Sequence, residues 1–217
     1  MLFWFRSAER ISKQENLRAV QNFMRVSYIA WWGTLLGLFL LASSVGNAQF
    51  TRDDWGRADE ATVRLSPSTF LTLPSSVRTE LERRECTIPQ PYGERVQEMN
   101  VVSGKFTSTG ETDWAVLCSR QKRSAILVFH GGRSNDVEEL AEEPDLNYLQ
   151  VISRGRKLGY SRQLAVAPPR EIRKHFLYRH HSPQKINHDG VEDTFIEKAS
   201  TVWYHASEKW IRLSGAD

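Results

Sequence analysis

Residues 114–132 read WAVLCSRQKRSAILVFHGG, and the fold turns on how they are read. Two runs rich in β-formers, Trp114–Ser119 and Ser124–Phe129, flank the polar Arg120–Arg123. Four polar residues between two such runs predict a β-hairpin. Gly131-Gly132 then turns the chain. The same design recurs near the end, where Ser200–His205 and Lys209–Leu213 are joined across Ala206–Glu208. Asn100–Val102 is a further strand candidate. So are Tyr148–Ile152 and Gln163–Ala167, which bracket a Gly- and Arg-rich turn. Helical signals lie outside these runs. Pro74-Ser75-Ser76 opens a pattern with Val77 and Leu81 on one face, ended by Cys86 and the prolines at 89 and 91. Asp136–Glu143 reads as a short acidic helix capped by Asn135 or Asp136. Pro168-Pro169 starts a third helix, with a stripe of Ile172, Phe176 and Leu177. Residues 49–73 are polar and irregular and are expected to form a linker or an extended wrap. Residues 74–217 are expected to form one α+β domain, a mainly antiparallel sheet of hairpins flanked by two or three helices.

The ending His130-Gly131-Gly132 resembles the oxyanion-hole strand of α/β-hydrolase lipases and esterases. That chemistry needs a nucleophile elbow, G-x-S-x-G, further along the chain. No such pentapeptide occurs, and Gly159-Tyr-Ser-Arg-Gln163 lacks the second glycine. A triad of Ser161, Asp193 and His205 follows the right order but has no motif behind it. The strand is therefore expected to end in a plain turn.

Val26–Val45 is an apolar run without a charge, preceded by five basic and two acidic residues and followed by Gly46-Asn-Ala48. A basic start, an apolar stretch and a small-x-small exit predict a secretory leader over residues 1–48, with Met24 as a second candidate start. Cleavage would place the mature chain in the periplasm or outside the cell; an uncleaved leader would anchor it in the inner membrane through residues 26–45. Of 29 Lys+Arg and 26 Asp+Glu, 24 of each remain after residue 48. A neutral domain lacks the basic footprint of a nucleic-acid binder, so that class is set aside. The charge is nonetheless segregated: Asp136–Asp145 holds six acids and no base, while Arg154–Arg179 holds eight basic residues against Glu171 alone. Arg162, Arg173 and Lys174 are the candidates there for binding an anion.

Cys86 and Cys118 are the only cysteines, and an even count in an exported chain predicts a disulfide between them. The chain also repeats itself once. Lys105–Asp113 (KFTSTGETD) aligns with Lys185–Asp193 (KINHDGVED) in its Lys, Gly and Asp, and each segment runs into strands. Asn187, Asp189 and Asp193 offer oxygens at alternate places for calcium. Lys185, however, stands where the first carboxylate belongs, and short Asx side chains also stabilise turns without metal. These segments resemble the calcium turns of FG-GAP and VCBS repeat proteins. Most of residues 74–217 is similar to a group of uncharacterised secreted bacterial proteins, a resemblance that implies no activity.

His175, His180, His181 and His188 cluster, but the first two are five apart and miss the i, i+4 zinc geometry. Trp114, Trp203, Tyr204 and Trp210 alternate with polar residues on strands, either filling a core or forming a platform for a glycan or peptide. The expectation is an exported binding or structural domain that needs no cofactor and meets a protein, a glycan or an anion. The alternative is a secreted hydrolase acting on an anionic substrate through Arg154–His181.

Overall fold

The computed structural model describes residues 49–93, 98–177 and 185–214, with the side chains of 175–177 left aside. The leader, Arg179, His180 and His181 lie outside the described residues. Phe50–Asp217 forms one compact unit.

The central hairpin is made of β4 (Asp113–Arg120) and β5 (Arg123–Phe129), paired from Trp114↔Phe129 to Arg120↔Arg123. Its turn has only two residues, Gln121 and Lys122, both at positive φ (49° and 63°). That is the primed geometry whose twist suits flanking strands. β3 (Val101–Gly104) and β6 (Val137–Pro144) complete the first sheet, in the order β3-β4-β5-β6. The second sheet runs β12-β11-β10-β9, from Lys209–Ser214, Ala199–Ala206, Gly190–Phe195 and Arg162–Ala167. Two small ribbons join them: β1 (Arg64–Leu65) with β2 (Ile88–Pro89), and β7 (Leu149–Ile152) with β8 (Lys157–Tyr160). The α+β class and its antiparallel hairpins stand as expected.

Successive side chains of a strand point to opposite faces, and here they divide the core into layers. Val116, Cys118, Leu127 and Phe129 pack with Val77 and Leu81 of α2 (Ser75–Arg83), together with Phe70, Leu73 and Ile88. The alternate residues Ala115, Leu117, Ile126 and Val128 meet Leu164 and Val191 of the second sheet. That sheet's outer face carries Val202, Tyr204 and Leu213 against Ile172 of α3 (Pro169–Leu177). The order is helix, sheet, sheet, helix. Because β5 is covered on both faces it reads as a continuous apolar run instead of an alternating one. Asn100 closes the edge of β9: its amide donates to the carbonyls of Pro89 (2.6 Å) and Arg162 (3.1 Å), and its oxygen accepts from the Leu164 N–H (2.8 Å).

Three local expectations are corrected. Residues 49–73 are not a bare linker: they hold α1 (Arg52–Glu60) with a Thr51/Asp54 capping box, β1, and the core residues Phe70 and Leu73. Arg64 ties α1 down, donating to Asp59 (2.6 Å) and to the buried Asp145 (2.8 Å). Only Trp55 and Ala58 of α1 reach the core, so no apolar period announces the helix. The acidic stretch 137–144 is the edge strand β6, not a helix. Pairing with β5 overrides its helical propensity, and four glutamates keep the open edge from recruiting other strands. The turn read between residues 152 and 163 contains the extra strand β8.

The disulfide joins Cys86, just past α2, to Cys118 in β4, at a Cα–Cα distance of 5.1 Å. Among the described residues no helix is long and apolar enough to cross a membrane. The β11–β12 turn, Ser207-Glu208, repeats the primed geometry with φ 51° and 59° on two residues that disfavour it. Asn-Gly at these positions is expected to stabilise the domain by about 1 kcal/mol and to raise Tm by about 3 °C. A thermal melt checks this; an unchanged or lowered Tm would contradict it.

Candidate functional site

Gly131 and Gly132 adopt φ of 55° and 67°, and the Gly131 N–H donates to Asp113 Oδ1 (2.8 Å). The other oxygen of this buried carboxylate accepts from the Phe106 and Thr107 amides and from the Thr107 hydroxyl. The first repeat thus pins the glycine turn, and the amide an esterase would aim at an oxyanion is already taken. Ser161 is buried with its hydroxyl donating to the Tyr148 carbonyl (2.6 Å), and His205 packs edge-on against Trp210. Neither stands as a nucleophile or its base.

The two repeats touch one another. Asp189 N–H donates to the Lys105 carbonyl (2.9 Å), and Lys105 N–H donates to Asp189 Oδ2 (3.1 Å). Asp193 is committed elsewhere: its two oxygens accept from Arg162 Nε (2.9 Å) and Nη2 (2.8 Å). Of the residues expected to hold calcium, Asn187, Asp189 and Asp193, the last thus faces a guanidinium. Among the described residues no three His, Cys, Asp or Glu side chains are placed to hold a metal. His188 stacks on Tyr204 with ring centroids 4.4 Å apart.

Arg162, Arg173 and Lys174 do not converge. Arg162 is wholly buried on the inner face of β9, whereas α3 packs on the outer face of the same sheet. There Arg173 donates to the Ile186 carbonyl and Lys174 pairs with Glu171, both exposed to solvent.

Arg162 instead joins the two sheets. Nη1 donates to the Ser124 carbonyl (2.9 Å) and hydroxyl (3.0 Å), and Nη2 donates to the Ala141 carbonyl (2.8 Å) as well as to Asp193. With the two Asp193 contacts, each of the five guanidinium donors has a partner. Ala141 has a positive φ (53°) at the irregularity in β6, so the guanidinium receives a carbonyl that the ladder leaves over. The guanidinium also lies 4.4 Å from the centre of the Tyr148 ring. Burial pushes the Tyr148 phenol up to about 12, against the opposing pull of Arg162.

A free phenol ionises near pH 10. The stability contributed by neutral Tyr148 is therefore complete below about pH 10 and lost as pH rises through about 12. The urea midpoint is expected to hold steady from pH 7 to about 10 and to fall above it. Tyr148→Phe is expected to flatten part of that fall, the rest belonging to Tyr160, whose buried phenol is also raised. Identical alkaline slopes in the two proteins would refute the assignment.

Beside this ion pair the inter-sheet space opens into a cleft of about 270 Å³. Glu143 and Tyr148 form one wall, and Asp193, Thr201, Trp203 and Arg212 the other. The second group shares the inner face of β10–β12, where Asp193 pairs with Thr201 and Trp203 with Arg212. Among the described residues Trp203 Nε1 is buried without a partner. Among the described residues Arg212 forms no ion pair, and the hydroxyls of Tyr148, Ser200 and Thr201 make no hydrogen bond. No family model, curated protein or solved structure matches this chain.

A second cleft, of about 700 Å³, lies between the end of α1, residues 90–93 and the β7–β8 ribbon. Among the described residues Lys157 is the one charged side chain in its lining, which leaves little there to orient a ligand. The polar cleft is thus the better candidate. Its residues escape sequence reasoning because they come from four separate segments. The one available signal was the alternation of Thr201, Trp203 and His205 on β11, which marks a shared face without saying what lies opposite.

Proposed function

We propose that this chain is an exported, non-catalytic binding domain whose ligand seat is the cleft between Tyr148, Asp193, Trp203 and Arg212. One observation carries the reading. Arg162 spends all five donors on fixing the cleft floor, while Arg212 and three hydroxyls line the cleft with no ion-pair or hydrogen-bond partner among the described residues. A rigid floor beneath unsatisfied polar groups suits recognition. No activated nucleophile stands beside them. The binding reading is favoured over the hydrolase alternative by Arg162 lying on the inner face of β9 while α3, with Arg173 and Lys174, packs on the outer face. The disulfide and the leader expected over residues 1–48 support export.

The test is a thermal-shift survey of the exported protein against amino acids, short peptides, acidic sugars and neutral sugars, repeated with Arg212→Ala. Arg212 is exposed and forms no ion pair among the described residues, so its loss is expected to leave the apo Tm within a degree or two. At least one ligand class is expected to raise Tm in the wild type and to lose that effect in the variant. A survey in which nothing shifts Tm, or in which every shift survives Arg212→Ala, would overturn the assignment.

A further inference from the structure

Resting on that reading, we infer that the cleft takes a neutral sugar of the hexose class, one pyranose ring at a time. The charges around it cancel. Glu143 and Asp193 stand against Arg212 and the Arg162 behind Asp193, so a ligand of net charge would meet an opposing group whichever sign it carried. The remaining polar groups are mixed. Arg212 only donates, and Glu143 only accepts, with Asn147 already on its Oε2 (3.1 Å). The hydroxyls of Tyr148, Ser200 and Thr201 do both. That is the set that matches sugar hydroxyls, each of which also donates and accepts.

The apolar part of the wall has the complementary shape. Tyr148 and Phe195 meet edge to face with centroids 5.7 Å apart, and Trp203 stands in the same lining. Arg162 lies over one face of Tyr148 and the Lys198 ammonium 4.3 Å from the Phe195 centroid, so only the ring surface left beside them, with Trp203, is offered to the C–H face of a pyranose. The Trp203 indole N–H is buried without a partner among the described residues, so the wall holds one donor not yet used. At about 270 Å³ the cleft is smaller than the range that holds drug-sized ligands, and so fits one ring instead of an extended oligomer.

The experiment is saturation-transfer NMR on the exported protein, with methyl glucoside, methyl galactoside, methyl mannoside and N-acetylglucosamine as probes. Glucuronate, glucosamine and the zwitterion glycine are run beside them. At least one neutral hexoside is expected to receive saturation, and Arg212→Ala and Thr201→Ala are each expected to weaken it at least tenfold. Lys174→Ala, on the far side of the sheet, is expected to leave it unchanged. Binding of glucuronate, glucosamine or glycine in an Arg212-dependent way, with the hexosides silent, would overturn the sugar class and leave the seat standing. Hexoside binding indifferent to both cleft substitutions would overturn the seat itself. Silence from every probe would overturn the sugar class, and the thermal-shift survey then decides whether the seat survives.

Discussion

Arg162→Met is expected to destabilise the domain by about 3–5 kcal/mol, the range for breaking a buried ion pair by removing one partner. The substitution keeps much of the side chain's length and apolar volume, so cavity formation contributes little. What it removes is the only partner of the Asp193 carboxylate among the described residues, together with the donors that satisfy Ser124 and Ala141. Ser124 and Asp193 stay buried, whereas Ala141 is half-buried at the edge of the cleft. Arg162→Lys is expected to recover under half of the loss, because one ammonium cannot serve acceptors on three strands in a fork. Asp193→Leu combined with Arg162→Met is expected to cost less than the two single changes summed, since neither charge is then stranded. Urea unfolding followed by circular dichroism measures each value. A loss below about 1 kcal/mol for Arg162→Met would mean that water or rearranged backbone takes over these acceptors.

Removal of the Cys86–Cys118 bond is the other large effect. The bridge closes a separation of 32 residues, for which the chain-entropy relation gives about 3–4 kcal/mol. Both half-cystines are buried against Val77, Leu81 and Phe70, so the Cys86→Ala/Cys118→Ala variant also loses packing on the outer face of the first sheet. Against an ordinary total of about 5–15 kcal/mol, that variant is expected to melt at least about 8 °C lower. Reductant is expected to act slowly on the native protein and quickly in urea, because the sulfurs are shielded until the α2 layer lifts. Thiol alkylation with mass spectrometry follows both. Equal reduction rates with and without urea would show that the α2 layer opens freely under native conditions.

The two effects act on different interfaces. The disulfide holds α2 to the first sheet, and Arg162 holds the first sheet to the second. Their free energies are therefore expected to add, and a denaturant series on the combined variant checks this.

The hairpins β4–β5 and β11–β12, the helices α2 and α3 and the cysteine pair were legible in the chain alone. Each rests on signals that neighbouring residues carry: alternation by two, apolar spacing by four, a polar break, or a shared redox compartment. The stretches misread were those whose state depends on a distant partner. DVEELAEE has the composition of a helix and becomes β6 because β5 needs a fourth strand beside it. TRDDWGRADE hides a helix because the anchors of α1 are Arg64 and Asp145, outside its own period. Arg162 is the plainest case. In sequence it belongs to a basic run and suggests an anion site, yet its Asp193 lies 31 residues away and its remaining acceptors on β5 and β6. Composition and periodicity thus determined the balanced charge of residues 49–217, the α+β class and the disulfide. Only the stacking of one sheet on the other decided which charged residues would be buried together and where a polar cleft would open, because the burial of a charge is settled by what faces it across the core.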